Sequence, residues 1–314
     1  MKLIIQIPCL NEAKSLPKTL SDLPTEIDGV DKIEILVIDD GSTDSTSDVA
    51  RECGVHHIVR FTKRKGLARA FGAGLDAALK AGADIIVNTD ADNQYKGKDI
   101  PRLVKPIVEG RADIVIGNRD IENVKQFSWL KKRLQRLGTW VVRQLAGSNI
   151  EDATTGFRAY NREAALRLNI ISDYTYTLES IIQAENKNLA IHNITISTNK
   201  VGRKSRLFKS IPEYIKRSII TMVRVYAMFN PFRLFTNLGV LLSGLGFLIG
   251  CRFLYFWLMG QGDGKIQSLI LAAVLLIIGF QVLIIGVVAD LISANRRLIE
   301  ETLLKVKKLE LKEK

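Results

Sequence analysis

Cysteine is nearly missing from this sequence: Cys9, Cys53 and Cys251 are all it has in 314 residues. An odd number, with no Cys-X-X-Cys pair and no histidine at ligand spacing, argues against a disulfide framework or thiolate metal cluster and leaves free thiols in a reducing compartment. No basic start, apolar core and small-residue cleavage site precede the strand-like run at 2–7, so no secretory leader is expected and the polar part should stay in the cytoplasm. Acidic residues are the short side of the charge balance, 33 against 45 basic ones, for a formal net charge of +12. Such an excess calls for an acidic partner: nucleic acid, anionic lipid or a phosphorylated substrate. Residues 1–100 carry slightly more Asp and Glu than Lys and Arg, whereas the basic excess collects in 119–143, in 200–233 and after 295. Two of these regions flank strongly apolar segments, so membrane phospholipid is the expected partner. No nucleic-acid module signature is present, and no nucleic-acid partner is expected.

What the first 120 residues do contain is alternation. Short apolar runs at 3–7, 33–38, 84–88 and 113–117, with a weaker one at 56–61, are separated by helix-like patterns at 14–20, 43–53, 66–80 and 99–109. Buried strands alternating with helices predict an α/β domain around a mainly parallel sheet, whose ligands bind beyond the carboxyl ends of the strands. Polar clusters fall at those ends: Asn11-Glu12, Asp39-Asp40-Gly41-Ser42 and Asp90-Ala91-Asp92.

The second half contains two nearly charge-free stretches, 234–259 and 268–292. As helices at ~1.5 Å per residue each reaches ~36 Å or more, enough to cross a hydrocarbon core of ~30 Å. The segment 260–267 between them is too short for a domain, so the pair reads as a transmembrane hairpin. Lys216, Arg217, Arg224 and Arg233 precede it, and Arg296, Arg297, Lys305, Lys307 and Lys308 follow it, which predicts cytoplasmic ends on both sides. Apolar positions Ile211, Ile215, Ile219, Met222 and Tyr226 lie on one side of a basic helix that would rest in the membrane interface. Arg252 within the first span reads as snorkelling to headgroups or as a contact for a lipid phosphate or neighbouring subunit. Asp290 reads as facing water or Arg296, and the tail as interfacial, oligomerising or solvated.

Asp90 and Asp92 are the most informative spacing. Alternate carboxylates at a strand end can meet one hard, oxygen-preferring cation, Mg2+ or Mn2+, that neutralises a leaving diphosphate. Asp39 stands where a nucleobase could donate to it, in a turn where Gly41, Ser42 and Asp44 also serve as turn and cap residues. Gly72-Ala73-Gly74-Leu75-Asp76-Ala77 spells a dinucleotide string but falls inside a helical repeat, so it reads as close helix packing and a nicotinamide cofactor is rejected.

Ile7-Pro8-Cys9-Leu10-Asn11-Glu12, Val37-Ile38-Asp39-Asp40-Gly41-Ser42, Lys65-Gly66, Asp90-Ala91-Asp92-Asn93-Gln94, Gly117-Asn118-Arg119 and Thr155-Gly156-Phe157-Arg158 occur in that order. The ordered set resembles inverting family-2 glycosyltransferases of the dolichyl-phosphate mannose synthase type, with bacterial relatives that charge undecaprenyl phosphate. The resemblance covers residues 1–210, and the hairpin matches the membrane-anchored branch in architecture. It implies a glycosyltransferase-A fold, Rossmann-like, with an interfacial helix and two transmembrane helices. The layout expected is a cytoplasmic transferase domain at 1–210, an interfacial helix at 211–231, a hairpin at 232–293 and a basic tail at 294–314.

Carried over residue by residue, the resemblance implies that Pro8, Leu10, Glu12 and Asp39 line the nucleoside pocket. Asp90, Asp92 and Gln94 would hold metal and diphosphate, and Arg119 and Lys131 would meet the acceptor phosphate. The family's closing loop corresponds to Lys200, Arg203, Ser205 and Arg206, with Lys200 for its opening arginine, Arg206 for its final lysine and Gly202 displaced by one; Gln135 stands where the family often has serine. Glu179 matches a family glutamate, as acceptor-site organiser or as partner of an arginine. Expected substrates are a nucleotide sugar (GDP-mannose, UDP-glucose or a UDP-amino sugar) and a polyprenyl phosphate, dolichyl or undecaprenyl. Related membrane-anchored enzymes also allow a homo-oligomer. Two rival readings compete with this one: a processive polysaccharide synthase, which usually carries Gln-X-X-Arg-Trp and more membrane helices, and a membrane scaffold with a degenerate transferase domain. The first lacks its motif here, and the intact Asp39, Asp90 and Asp92 speak against the second.

Overall fold

Along the first strand, β1 (Lys2–Cys9), apolar side chains point to both faces, as expected of a strand covered on each side. The computed structural model describes residues 1–119, 150–171, 176–199, 219–220, 223–224, 226–260 and 266–312. In it β1 pairs in parallel with β2 (Lys32–Asp39) and β4 (Ile85–Asn88), and β2 pairs in parallel with β3 (His57–Arg60). One strand, β6 (Arg158–Asn161), runs antiparallel between β4 and β5 (Ile114–Asn118), and β7 (Ile191–Thr195) lies parallel to β5. The described strands form a seven-stranded sheet of order β3-β2-β1-β4-β6-β5-β7.

The pleat divides the core. Leu3, Ile5, Ile7, Val37 and Val87 face one side, beneath α1 (Leu16–Ser21) and α4 (Ile100–Val108). Ile4, Leu36, Ile38 and Ile86 face the other, beneath α3 (Leu67–Lys80), α5 (Arg162–Arg167) and α6 (Tyr176–Asn186). A further helix, α2 (Thr46–Glu52), follows β2. The runs expected as strands at 3–7, 33–38, 56–61, 84–88 and 113–117 are β1 to β5 with ends shifted by a residue or two. Gly74 confirms the packing reading of the glycine string: a Cβ there would lie 2.5 Å from Gln6 Oε1 and 2.9 Å from Ile38 Cδ1.

The structure divides the chain into two units, Met1–Met222 with Leu304–Lys314, and Val223–Leu303. The second contains α7 (Pro231–Leu258) and most of α8 (Ile266–Glu310), both long and apolar enough to cross a membrane. Apart from Pro231 at the start of α7, the buried residues of this pair are small and recur every seven positions: Gly239 and Gly246 on α7, and Ala272, Gly279, Gly286 and Ser293 on α8. A seven-residue repeat keeps one seam facing its partner, and small residues let the backbones approach. A Cβ at Gly239 would lie 2.7 Å from Leu283 Cγ, and one at Gly246 would lie 3.0 Å from the Ala272 carbonyl. The large apolar side chains, such as Phe247, Leu248 and Phe280, point outward. Arg252 is exposed and sits 5.8 Å from the Phe256 ring. Arg296 pairs with Glu300 at 2.8 Å and covers the Phe229 ring.

The last turns of α8 belong to the first unit. Leu304 and Leu311 pack against the α3 side of its core. Lys307 lies 3.2 Å from Asp76, Lys308 lies 2.8 Å from Glu163, and Lys80 lies 2.9 Å from Glu310. The tail is therefore docked, rather than free in solvent. Its ion pairs are exposed, so the two leucines carry more of the attachment than the charges do.

The helix seam makes a direct prediction. Gly279→Leu should destabilise the hairpin by ~1–3 kcal/mol, because its new Cβ would lie 2.8 Å from the Ser243 backbone nitrogen. Gly244→Leu, at a position with no heavy atom within 4 Å, should be neutral. Thermal unfolding of both variants in detergent micelles provides the comparison.

Candidate functional site

The strand order reverses between β1 and β4, and that switch point is where the loops after β1, β2 and β4 open a cleft. The first two loops are stitched together. The Asn11 N–H donates to Ser42 Oγ at 2.9 Å, the Thr43 N–H to Asn11 Oδ1 at 2.8 Å and the Glu12 N–H to Thr46 Oγ1 at 2.9 Å. Asn11 adopts a left-handed φ of 56° to make these contacts. Glu12 is buried and accepts the Ser15 hydroxyl at 2.5 Å, while Pro8 and Leu10 remain half-buried at the end of β1.

The two aspartates that follow β2 have separate tasks. Asp39 is fully buried; its Oδ1 accepts the Ser42 N–H at 2.7 Å, and its Oδ2 accepts the Ser47 hydroxyl and lies 3.6 Å from Arg60. Asp40 accepts the Lys65 N–H at 2.6 Å and the Gly66 N–H at 3.0 Å. Gly41, at φ 72°, lets that loop approach so closely that a Cβ would lie 2.7 Å from Arg64 N. Asp39 and Asp40 thus build the floor of the cleft. Cys9 is held as a thiol, its pKa pushed up by burial and then by the carboxylates of Glu12, Asp39, Asp44 and Asp90, so it is no nucleophile.

Beyond β4, partial exposure alternates with burial: Asp90, Asp92 and Gln94 reach the surface, and Ala91, Asn93 and Tyr95 do not. Gly156 faces Asp90 across the cleft floor, where a Cβ would come within 3.3 Å of Asp90 Oδ1 and 2.7 Å of the Tyr176 hydroxyl. The Asn88 amide donates to the Gly156 carbonyl at 2.8 Å and to the Tyr176 hydroxyl at 2.9 Å. Tyr95 accepts the Gly156 N–H at 3.2 Å and stacks on Phe157. Its hydroxyl is pushed up to about 12, chiefly by burial, with Arg119 opposing and Asp90 adding to the shift. It stays neutral and accepts.

Arg119 is 7% exposed. Its guanidinium forks onto Asp152 at 2.7 and 3.1 Å and donates to Thr154 at 2.6 Å. Burial opposes both charges, but each partner overcomes this for the other: the Asp152 carboxyl is held below its usual range, and Arg119 is made more basic. Arg158 is also buried, donating to the carbonyls of Thr155, Thr177 and Ala153 and to the Ser180 hydroxyl. Glu179 is buried and accepts the Ile171 N–H and the Gln183 amide. Asp152, Tyr95, Tyr176 and Arg60 were not singled out from the sequence. Only the aromatic pattern beside Asp90-Ala91-Asp92 could have flagged Tyr95. Lys131, Lys200, Arg203, Ser205 and Arg206 lie outside the described residues.

The donor chemistry fits a hard divalent cation: Asp90 and Asp92 offer carboxylate oxygens, Gln94 an amide oxygen, and Gly156 leaves space that a Cβ would fill. Among the described residues no group of three or more His, Cys, Asp or Glu forms a ligand cluster. Two carboxylates suit a cation that takes its remaining oxygens from phosphate and water.

The glycosyl transferase family 2 model matches residues 4–168. An undecaprenyl-phosphate mannosyltransferase from Micrococcus luteus is 35% identical over 185 residues, covering 56% of this chain and 74% of that protein. An undecaprenyl-phosphate 4-deoxy-4-formamido-L-arabinose transferase from Enterobacter sp. is 27% identical over 300 residues, covering 85% and 89%. A solved glucosyl-3-phosphoglycerate synthase from Mycobacterium tuberculosis, in complex with Mn2+, uridine diphosphate and glucosyl-3-phosphoglycerate, shares the fold. Its TM-score is 0.55 at 21% identity, covering 72% of this chain and 79% of that one. The fold is glycosyltransferase-A, as the resemblance implied.

Gly156 tests the site's geometry. Gly156→Ala should lower activity by ~10²-fold, the scale of a displacement near 1 Å at a reacting group, because the new methyl would push against both Asp90 and the stacked Tyr176. Gly72→Ala, where a Cβ has no neighbour within 4 Å and the backbone, as at Gly156, is outside the left-handed region, controls for the added methyl itself. Steady-state rates of both variants check this.

Proposed function

The chain belongs to glycosyl transferase family 2, and we propose that it transfers a sugar from a nucleotide sugar to a polyprenyl phosphate at the cytoplasmic membrane face, with inversion. The observation that carries this reading is the part-exposed Asp90/Asp92 pair at the sheet's switch point, in a chain that also has two helices suited to a membrane. Relatives named for undecaprenyl phosphate support the acceptor class, and their different sugars leave mannose, glucose and amino sugars as candidates.

In this reading Pro8, Leu10, Glu12 and Asp39 form the nucleoside pocket, with Asp39 fixing its floor. Asp90, Asp92 and Gln94 hold Mg2+ or Mn2+, which when bound neutralises the diphosphate; the neighbour crystallised with Mn2+ and uridine diphosphate supports a divalent ion. The acceptor phosphate is already anionic near neutral pH, so the protein's task is to place its oxygen opposite the leaving diphosphate. The new carbon–oxygen bond forms as the bond to diphosphate breaks, which inverts the anomeric carbon. Arg119 and Lys131 are assigned to the acceptor phosphate, and Arg119, forked onto Asp152, also holds the loop that leads to Gly156. Lys200, Arg203, Ser205 and Arg206 are assigned to the donor diphosphate.

The layout proposed is a transferase domain at 1–210, an interfacial helix at 211–231, a hairpin at 232–293 and a tail at 294–314. Tail contacts with the transferase unit support an even number of crossings, because the chain must return to the side it left. The basic residues on both flanks support the cytoplasmic side.

Asp92→Asn should reduce transfer by ~10²-fold or more with an unchanged melting midpoint, because a charged group that acts at the transferring diphosphate is lost. The assay uses a panel of nucleotide sugars with short polyprenyl phosphates in detergent, and full activity in excess chelator would reject the cation. For topology, a cysteine placed at Gly262 in a variant lacking the native cysteines should react with an impermeant maleimide in intact cells. Labelling only after permeabilisation would contradict the hairpin's orientation.

A further inference from the structure

The turn that carries Asp92 and Gln94 is held by a segment from the far edge of the sheet. After β7 the chain continues along this turn. The Ile196 N–H donates to the Asn118 carbonyl at 2.8 Å, and the Ser197 N–H to Asp99 Oδ2 at 2.8 Å. Thr198 forms an isolated antiparallel bridge with Tyr95. Asn199 then grips the turn twice: its N–H donates to the Gln94 carbonyl at 2.8 Å, and its side-chain amide to the Asn93 carbonyl at 3.0 Å. The gripped residue is unusual, since Asn93 is buried with a left-handed φ of 55°. Asparagine tolerates that conformation better than other side chains, but it is still a minority state that surrounding contacts favour.

We propose that Asn199 is a positioning residue for the cation, acting through the Asn93 carbonyl to keep Asp92 and Gln94 in place. The inference rests on the reading of Asp90 and Asp92 as cation ligands. Its physical basis is that two of the contacts that anchor this turn differ in kind. One is local: the Gln94 N–H donates to Asp92 Oδ1 at 3.1 Å. A cation at Asp92 draws on that same carboxylate, so this anchor weakens when the site is used. The other anchor is Asn199, whose donors reach the Gln94 and Asn93 carbonyls and, at 3.5 Å, Asn93 Oδ1; none of these is a proposed cation ligand, so this anchor holds with or without the cation. Without its amide, the left-handed Asn93 relaxes toward commoner conformations and carries its neighbours out of line.

The test uses the full chain in detergent and titrates Mn2+ in the presence of UDP or, separately, GDP, reading free Mn2+ by electron paramagnetic resonance. Asn199→Ala removes the side-chain donor, and Asn199→Asp keeps the size while replacing the donor with an acceptor that repels the Asn93 carbonyl. Both should raise the apparent Kd for Mn2+ by ~10-fold or more, the scale of losing a group that orients metal ligands. The melting midpoint should not change, and transfer should recover at saturating Mn2+, an effect on the metal's KM rather than on kcat. Wild-type affinity in both variants would overturn the proposal, as would a loss of affinity that comes only with a lowered midpoint. Failure of the wild-type chain itself to bind Mn2+ with either nucleotide is a distinguishable result, and it would overturn the cation reading along with this inference.

Discussion

Asn88 lies at the centre of the sheet with no access to water, and each polar atom of its amide has found a partner. It accepts from Gln6 on the neighbouring strand and donates to the Gly156 carbonyl and the Tyr176 hydroxyl. Leaving such an amide unpaired costs ~1–3 kcal/mol, so the loop bearing Gly156 and the start of α6 are drawn to one height above β4. Asp90 is two residues further along. Its distance from Gly156, and so the width of the cleft, follows from where a buried amide can satisfy its hydrogen bonds.

The two buried arginines extend that constraint in different ways. Arg158 is satisfied by carbonyls and a hydroxyl, which fixes the loop without introducing a second charge. Arg119 is matched by Asp152, and breaking such a pair leaves a buried charge uncompensated. Together they make a rigid wall opposite the Asp90–Gln94 turn. Apart from Arg119, the basic residues proposed to meet phosphate lie in other stretches of the sequence, so most of the charged contacts come from segments outside this frame.

How much of this was legible in the sequence follows from the range of each interaction. The strands β1 to β5 could be read because an apolar run between turn residues is a local signal. The Asp90-Ala91-Asp92 turn was legible for the same reason. The short antiparallel β6 was not, because its four residues include a buried arginine and polar neighbours that resemble a loop. Arg119 was noticed but its partner was not: Asp152 is 33 residues away with no pattern joining them. Asp39 is read from the sequence as an acceptor for a nucleobase; its further contacts with Ser42, Ser47 and Arg60 join residues that no local pattern links to it. The seven-residue repeat of small side chains in α7 and α8 was present in the sequence, hidden because the hydropathy that marks a span weights every apolar residue alike.

The docked end of α8 bears on the order in which this protein can be made. The segment Val223–Leu303 leaves one unit and returns to it, forming a closed excursion. Leu304 and Leu311 follow both long helices in the sequence, yet they cover part of the core built by residues that precede them. The first unit therefore cannot be complete until both long apolar helices have been synthesised, so its last core contacts wait on the segment that interrupts it. The same closure means that a chain cut between α7 and α8 would still be two pieces of one unit, with the second retaining its own surface for reattachment.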